Sequence, residues 1–256
     1  MRKVSSLIDM SVWTGQWPFT KQRFTQLVEL RERLESLQVA KAFVAPTEAI
    51  LEQDPSRANK ELLAGVKDDF FSPVPIVDLS YANWDENVAR AADDARVQIV
   101  KLLPNYHMYE VHEKRFEPLV KLTGQHRLII SIQMRVEDMR GQHPLMLVKD
   151  IDIVQVVKMM AYFPEQRFIV SNLYIHEVPE ALLSLDNVWI DISSLEEPDT
   201  VKQLKQNKKF DKVLFATHSP FYIPEASFSK LKVTDATQED VDAIAFGNAA
   251  KLLNWR

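Results

Sequence analysis

Eight short apolar runs, almost every one followed by a helix-like stretch, constrain this chain more than anything else in it. They fall at 7–12, 39–46, 73–80, 97–103, 127–134, 167–174, 187–193 and 212–218. Runs of this length, closed by small polar residues or proline, read as buried strands. Strands that alternate with helices call for a parallel sheet, and eight such units close most simply into a (β/α)₈ barrel, with an open doubly wound sheet as the alternative. No glycine fingerprint follows the first run, and none of the five glycines sits in a GxGxxG or GxxxxGK arrangement, which argues against both the open sheet and a nucleotide loop. No linker or change of composition divides the 256 residues, so a single domain over 1–256 is expected.

Composition narrows the function classes. A net charge of -5 gives no basic footprint for nucleic acid. The absence of cysteine removes disulfides, thiol nucleophiles and thiolate metal sites. The N-terminal stretch has no long apolar core, and no run approaches a membrane span of roughly 18 apolar residues. A cytoplasmic protein is expected. Self-association is left open.

In a barrel, function collects at the C-terminal strand ends. The polar residues of this sequence gather there. The first strand offers Asp9 and Ser11, then Trp13; Thr20 is placed to cap the helix that follows, with Val28 on its apolar stripe. The fourth offers Lys101, then Asn105, Tyr106 and His107. The fifth offers Gln133 and Arg135, with Asp138 and Arg140 beyond, the sixth Asn172, the seventh Asp191 and the eighth His218. Period-2 alternation sets Leu214, Ala216 and His218 on one face. A histidine there is placed to act as general acid or base, with Asp191 or Asp9 orienting it or accepting a proton. Lys101, Arg135 and Arg140 are candidates to hold an anionic small molecule, with Asn105, Tyr106, Gln133, Asn172 and Trp13 around it. The competing reading makes Asp9, Lys101 and Asp191 an internal ion-pair group and the arginines part of a loop salt-bridge network.

Three stretches carry a resemblance. Asp9-Met10-Ser11-Val12-Trp13-Thr14-Gly15 resembles the first-strand Asp-x-His-x-His-x-Gly of the amidohydrolase superfamily. Leu214-Phe215-Ala216-Thr217-His218-Ser219-Pro220 resembles its eighth-strand Leu-Phe-Gly-Ser-Asp-x-Pro. Gly247-Asn248-Ala249-Ala250-Lys251-Leu252-Leu253 resembles its C-terminal Gly-Asn-Ala-x-x-Leu-Leu. The resemblance implies a TIM-barrel metal-dependent hydrolase fold, shared with small-acid decarboxylases and lactonases. It implies a hydrolase or lyase acting on a small carboxylated molecule. It also implies a divalent metal, yet the family's ligand positions here hold Ser11, Trp13, Ser131 or Gln133, Asn172 and His218. Trp and Ser do not replace two imidazoles on zinc. A rebuilt set of Asp9, Asp191 and His218 with Asn172 would suit magnesium or manganese better than zinc. No pair of these shows a recognised ligand spacing, so the metal-free reading is preferred and no residue is assigned to a metal. The remaining alternative is a ligand-binding or scaffold protein on the same barrel, with catalysis lost.

Overall fold

The computed structural model describes residues 2–4, 6–206 and 210–255. Eight parallel strands, β1 (Leu7–Thr14), β2 (Val39–Pro46), β3 (Phe71–Pro73), β4 (Ile99–Leu102), β5 (Ile129–Gln133), β6 (Phe168–Ser171), β7 (Val188–Asp191) and β8 (Val213–Leu214), alternate with helices α1 (Leu27–Glu35), α2 (Ser56–Gly65), α3 (Trp84–Ala92), α4 (Glu113–His126), α5 (Ile153–Tyr162), α6 (Glu180–Leu183), α7 (Thr200–Gln206) and α8 (Pro224–Lys232). Helices α9 (Gln238–Asp242) and α10 (Asn248–Leu253) complete the described fold.

Continuous ladders join β1-β2-β3 and β4-β5-β6-β7-β8. Two seams of isolated backbone hydrogen bonds join these ladders into a (β/α)₈ barrel. At one seam Val77 N–H donates to the Lys101 carbonyl and Lys101 N–H to the Pro75 carbonyl, each at 2.9 Å. At the other, Met10 N–H donates to Phe215 O at 3.0 Å, His218 N–H to Ser11 O at 2.9 Å and Trp13 N–H to Ser219 O at 2.7 Å. Ser11, Trp13, Lys101 and His218 therefore all lie on seams.

Alternation along the strands sorts the core into two layers. Ile99, Ile129, Ile169 and Leu214 fill the barrel, while Val100, Ile130, Val170 and Val213 face the helices. Two residues further along β4, β5, β6 and β7, the inward positions hold Lys101, Ser131, Ser171 and Asp191, all buried. The floor is apolar: Ala249, Leu252 and Leu253 of α10 join the inner cluster, and Trp255 stacks on Phe43 at 6.1 Å.

Two local expectations are corrected. Strict alternation along β1 would set Asp9, Ser11 and Trp13 on one face and Ile8, Met10 and Val12 on the other, but it breaks where the register with β2 shifts between Asp9 and Val12. As a result Ile8, Met10 and Trp13 belong to the inner cluster, and Leu7 and Val12 to the outer. The first helix starts at Leu27 rather than after Thr20, because the chain first folds back on β1: Gly15 N–H and the Thr14 hydroxyl both donate to Thr25 O. Val28, placed on the apolar stripe from sequence, is 70% exposed.

Candidate functional site

Asp9 ties β1 to the end of β8. Its carboxylate accepts the Thr217 N–H at 3.0 Å, the Thr217 hydroxyl at 2.6 Å and the Ser11 N–H at 3.2 Å. Complete burial pushes its pKa up to about 7, against the pull of these three donors. The group is thus held by its own hydrogen bonds rather than by a contact ion pair.

Lys101 points into the barrel at the level of these carboxylates. Its Nζ donates to Ser11 Oγ and Gln133 Oε1, each at 2.9 Å, and lies 4.6 Å from the centroid of the Trp13 ring, within cation–π range. The Gln133 amide is set by its other end, where Nε2 donates to Arg135 O at 2.6 Å. Burial lowers the Lys101 pKa to about 8, and Asp191 and Asp9 pull it back up through space.

Asp191, at the end of β7, accepts from Ser193 N–H at 2.9 Å, the Ser193 hydroxyl at 2.5 Å and Asn172 N–H at 3.3 Å. Asn172 takes a left-handed backbone, φ 65, which asparagine tolerates better than most residues. Its Nδ2 donates to Ser193 Oγ at 3.1 Å, and its Oδ1 accepts from the Tyr222 hydroxyl at 3.2 Å.

His218 also has a left-handed backbone, φ 56, and its ring is wholly buried. Trp13 Nε1 lies 3.0 Å from His218 Nδ1. An indole N–H only donates, so Nδ1 must accept and the ring proton must sit on Nε2. Nε2 accordingly donates to Val136 O at 2.7 Å. Both nitrogens are used, and burial lowers the pKa to about 3, so the ring is neutral at physiological pH. Phe221 stacks on it at 5.4 Å and Tyr222 meets it edge-on at 4.9 Å.

Above this layer the mouth is roofed with aromatic side chains. Trp17 packs against Phe221, Phe19 and Tyr106 at 5.4, 5.4 and 6.3 Å. Asn105 braces the roof from the side, its Nδ2 donating to the carbonyls of Met134 and Lys149, both at 3.1 Å. The two arginines do not form a clamp. Arg135 is fully buried under the Tyr174 ring at 3.7 Å, and its guanidinium donates to Asn172 O, Asp150 (2.9 Å) and Glu177. Arg140 lies on the surface, its side chain 82% exposed and forked onto Asp138. A cavity of about 330 Å³ opens at the rim beside Arg140, Tyr174 and His176, outside the buried layer.

Asp9, Lys101, Gln133, Asn172, Asp191, His218 and Trp13 thus share one buried layer, whereas Tyr106 and Asn105 belong to the roof. Thr217 and Ser193, which sequence reasoning passed over, hold the two carboxylates. A signal for half of this was present: Asp9-x-Ser11 and Asp191-x-Ser193 are Asx-type turns in which the carboxylate accepts the N–H two residues on.

A divalent cation does not fit this donor set. Indole nitrogen has no lone pair to give, both His218 nitrogens are engaged, and each carboxylate already accepts three N–H or O–H donors. The space between Ser11 and Gln133 is taken by an ammonium group. Among the described residues no three His, Cys, Asp or Glu side chains converge as a metal-holding group.

With the geometry established, comparison with known proteins gives the family. The sequence matches the amidohydrolase family model over residues 15–255, and the chain belongs to that family. Solved structures similar to it include 2,6-dihydroxybenzoate decarboxylase from Rhizobium, 12% identical with TM-score 0.74 over 98% of this chain and 99% of that one. 5-Carboxyvanillate decarboxylase from Sphingomonas paucimobilis is 12% identical, with TM-score 0.75 over 98% and 99%. The 5-carboxyvanillate decarboxylase of Novosphingobium aromaticivorans, complexed with manganese and 4-hydroxy-3-methoxy-5-nitrobenzoic acid, is 14% identical, with TM-score 0.71 over 90% and 81%. At these identities the likeness is one of fold. No curated protein matches the sequence. Among the described residues no helix is long and apolar enough to cross a membrane.

Proposed function

We propose that this chain is a binding member of the amidohydrolase family: the barrel is kept, metal-assisted catalysis at the strand ends is lost, and small molecules are taken at the rim. The observation that carries this reading is the Trp13–His218–Val136 chain of hydrogen bonds, which leaves the best-placed acid–base group without a free lone pair. The burial of Lys101, Asp9 and Asp191 beneath an aromatic roof supports it. The rim cavity, lined by Tyr174, Arg140 and His176 with the acidic Asp138 and Glu196, is where a small molecule would be met, and similar barrels have been solved with carboxylated aromatic molecules bound.

A second reading keeps catalysis: a hydrolase or lyase acting on a small carboxylated molecule, with His218, Asp191 and Asp9 as its acid–base groups. Two observations favour it. Similar barrels include decarboxylases of carboxylated aromatic acids. Lys101, with a pKa near 8, would be a usable proton donor if the roof opened.

One assay separates the two. The purified protein is incubated with 2,6-dihydroxybenzoate and with 5-carboxyvanillate, with and without manganese, and carbon dioxide release is followed. The binding reading expects both acids to be recovered unchanged. Turnover above the protein-free rate, lost in His218→Asn, would establish the second reading.

A further inference from the structure

The polar layer contains two carboxylates and, from a strand across the barrel, one ammonium. Asp9 and Asp191 come from the ends of β1 and β7, and Lys101 from β4. All three are at most 2% exposed. A buried lysine is expensive unless its charge is used and its donors are met. Here two neutral oxygens and an aromatic face receive it, and both carboxylates act on it through space. Neutral acceptors alone do not explain a charged side chain at this position, since a serine–glutamine hydrogen bond needs no lysine. The carboxylates do explain it: Asp9 and Asp191 end in the same buried layer, and hydrogen bonds from neutral donors hold them without cancelling their charge, which the ammonium from the strand across the barrel offsets.

We propose that Lys101 is a tethered internal cation that takes over the charge-balancing role a divalent ion would fill at the strand ends of this barrel. The proposal rests on the reading that the centre is closed to metal. It differs from that reading in assigning a cause: the ammonium satisfies electrostatically what the replaced ligands can no longer satisfy by coordination. Ser11 and Gln133, at positions where the family resemblance expects ligand side chains, become the ammonium's acceptors.

The test removes the cation and returns it untethered. Lys101→Ala deletes three carbons and the nitrogen, the atoms of n-propylammonium. The variant is refolded in chelator with n-propylammonium chloride, with n-propanol, or with neither. The expected result is a Tm well below that of the wild-type protein, by roughly 10 °C, raised by n-propylammonium and not by n-propanol. Equal rescue by the alcohol, or no rescue of a folded variant, would overturn the proposal. Should Lys101→Ala not fold, Lys101→Met is compared with Lys101→Met/Asp9→Asn. Removal of one carboxylate is expected to restore at least about half of the Tm lost by Lys101→Met, reversing a buried-charge imbalance. Losses that simply add would overturn it. Metal found in wild-type protein purified without chelator would sink the closed-centre reading and this proposal with it, whereas failed rescue by n-propylammonium in metal-free protein would sink the proposal alone.

Discussion

Trp13 Nε1 donates to His218 Nδ1 at 3.0 Å across the seam between the first and last strands. That bond decides the tautomer, and the tautomer decides the chemistry. A histidine at the end of the eighth strand would ordinarily be a candidate base. With its acceptor nitrogen given to an indole and its donor nitrogen given to the Val136 carbonyl, it is part of the wall.

The ring should therefore stay neutral as the solution is acidified. Nitrogen NMR of the labelled protein is expected to show His218 as the Nε2–H tautomer, with shifts unchanged from pH 7 to pH 5, in keeping with a pKa near 3. A titration midpoint near the ordinary value of about 6.5 would contradict this.

Trp13→Phe removes the donor and leaves Nδ1 buried and unsatisfied. A loss of about 1–3 kcal/mol is expected from that alone, with more from the volume removed. Urea unfolding measures the total. The diagnostic readout is the His218 titration, which should move up towards the ordinary range in this variant.

Asp9 and His218 work in opposite directions on stability against pH. The folded pKa of Asp9, about 7, lies above the ordinary aspartate value of 3.8, so the folded state holds a proton that the unfolded chain releases. Its contribution is full below about pH 4 and is lost as pH rises to 7. His218 is depressed, so its contribution is full above about pH 6.5 and is lost as pH falls towards 3. Asp9→Asn removes only the first effect. Its urea midpoint, relative to the wild-type protein, should therefore improve steadily from pH 4 to 7 and stay level beyond. A difference independent of pH would mean that Asp9 titrates as an ordinary carboxylate.

Arg135 and Arg140 should behave as unlike residues. Arg135→Met strands Asp150 and Glu177 and should cost about 3–5 kcal/mol. Arg140→Ala breaks a solvent-exposed fork and should cost under about 1 kcal/mol. Comparable losses would show that burial does not separate them.

Much of the site could be read in the sequence because strand alternation is a simple rule. Placement at the strand ends brought Lys101, Asp191 and His218 to one mouth, and the eight-run pattern indicated the barrel. Alternation failed where the backbone leaves the rule. The register shift after Asp9 changed the parity of β1, which brought Ile8 and Met10 inward along with the expected Trp13. The left-handed turns at Asn172 and His218 re-aim side chains in a way no hydrophobic period encodes. For the arginines the sequence leaves two readings, an anion-holding pair and a loop salt-bridge network; Arg140 on Asp138 fits the second, while the partners of Arg135, at Asp150 and Glu177, lie too far along the chain for charge spacing to show. The Asp-x-Ser repeats were legible and pointed to carboxylates already provided with donors.

We propose that the strand-end layer is closed to metal and complete without it. Elemental analysis of protein purified without chelator or added metal, followed by titration with manganese and zinc, tests this most directly. The expected result is no stoichiometric metal and no shift in Tm on addition of either ion. Near-stoichiometric manganese, zinc or iron, released together with a loss of stability, would contradict it and return Asp9, Asp191, Asn172 and His218 to the role of ligands.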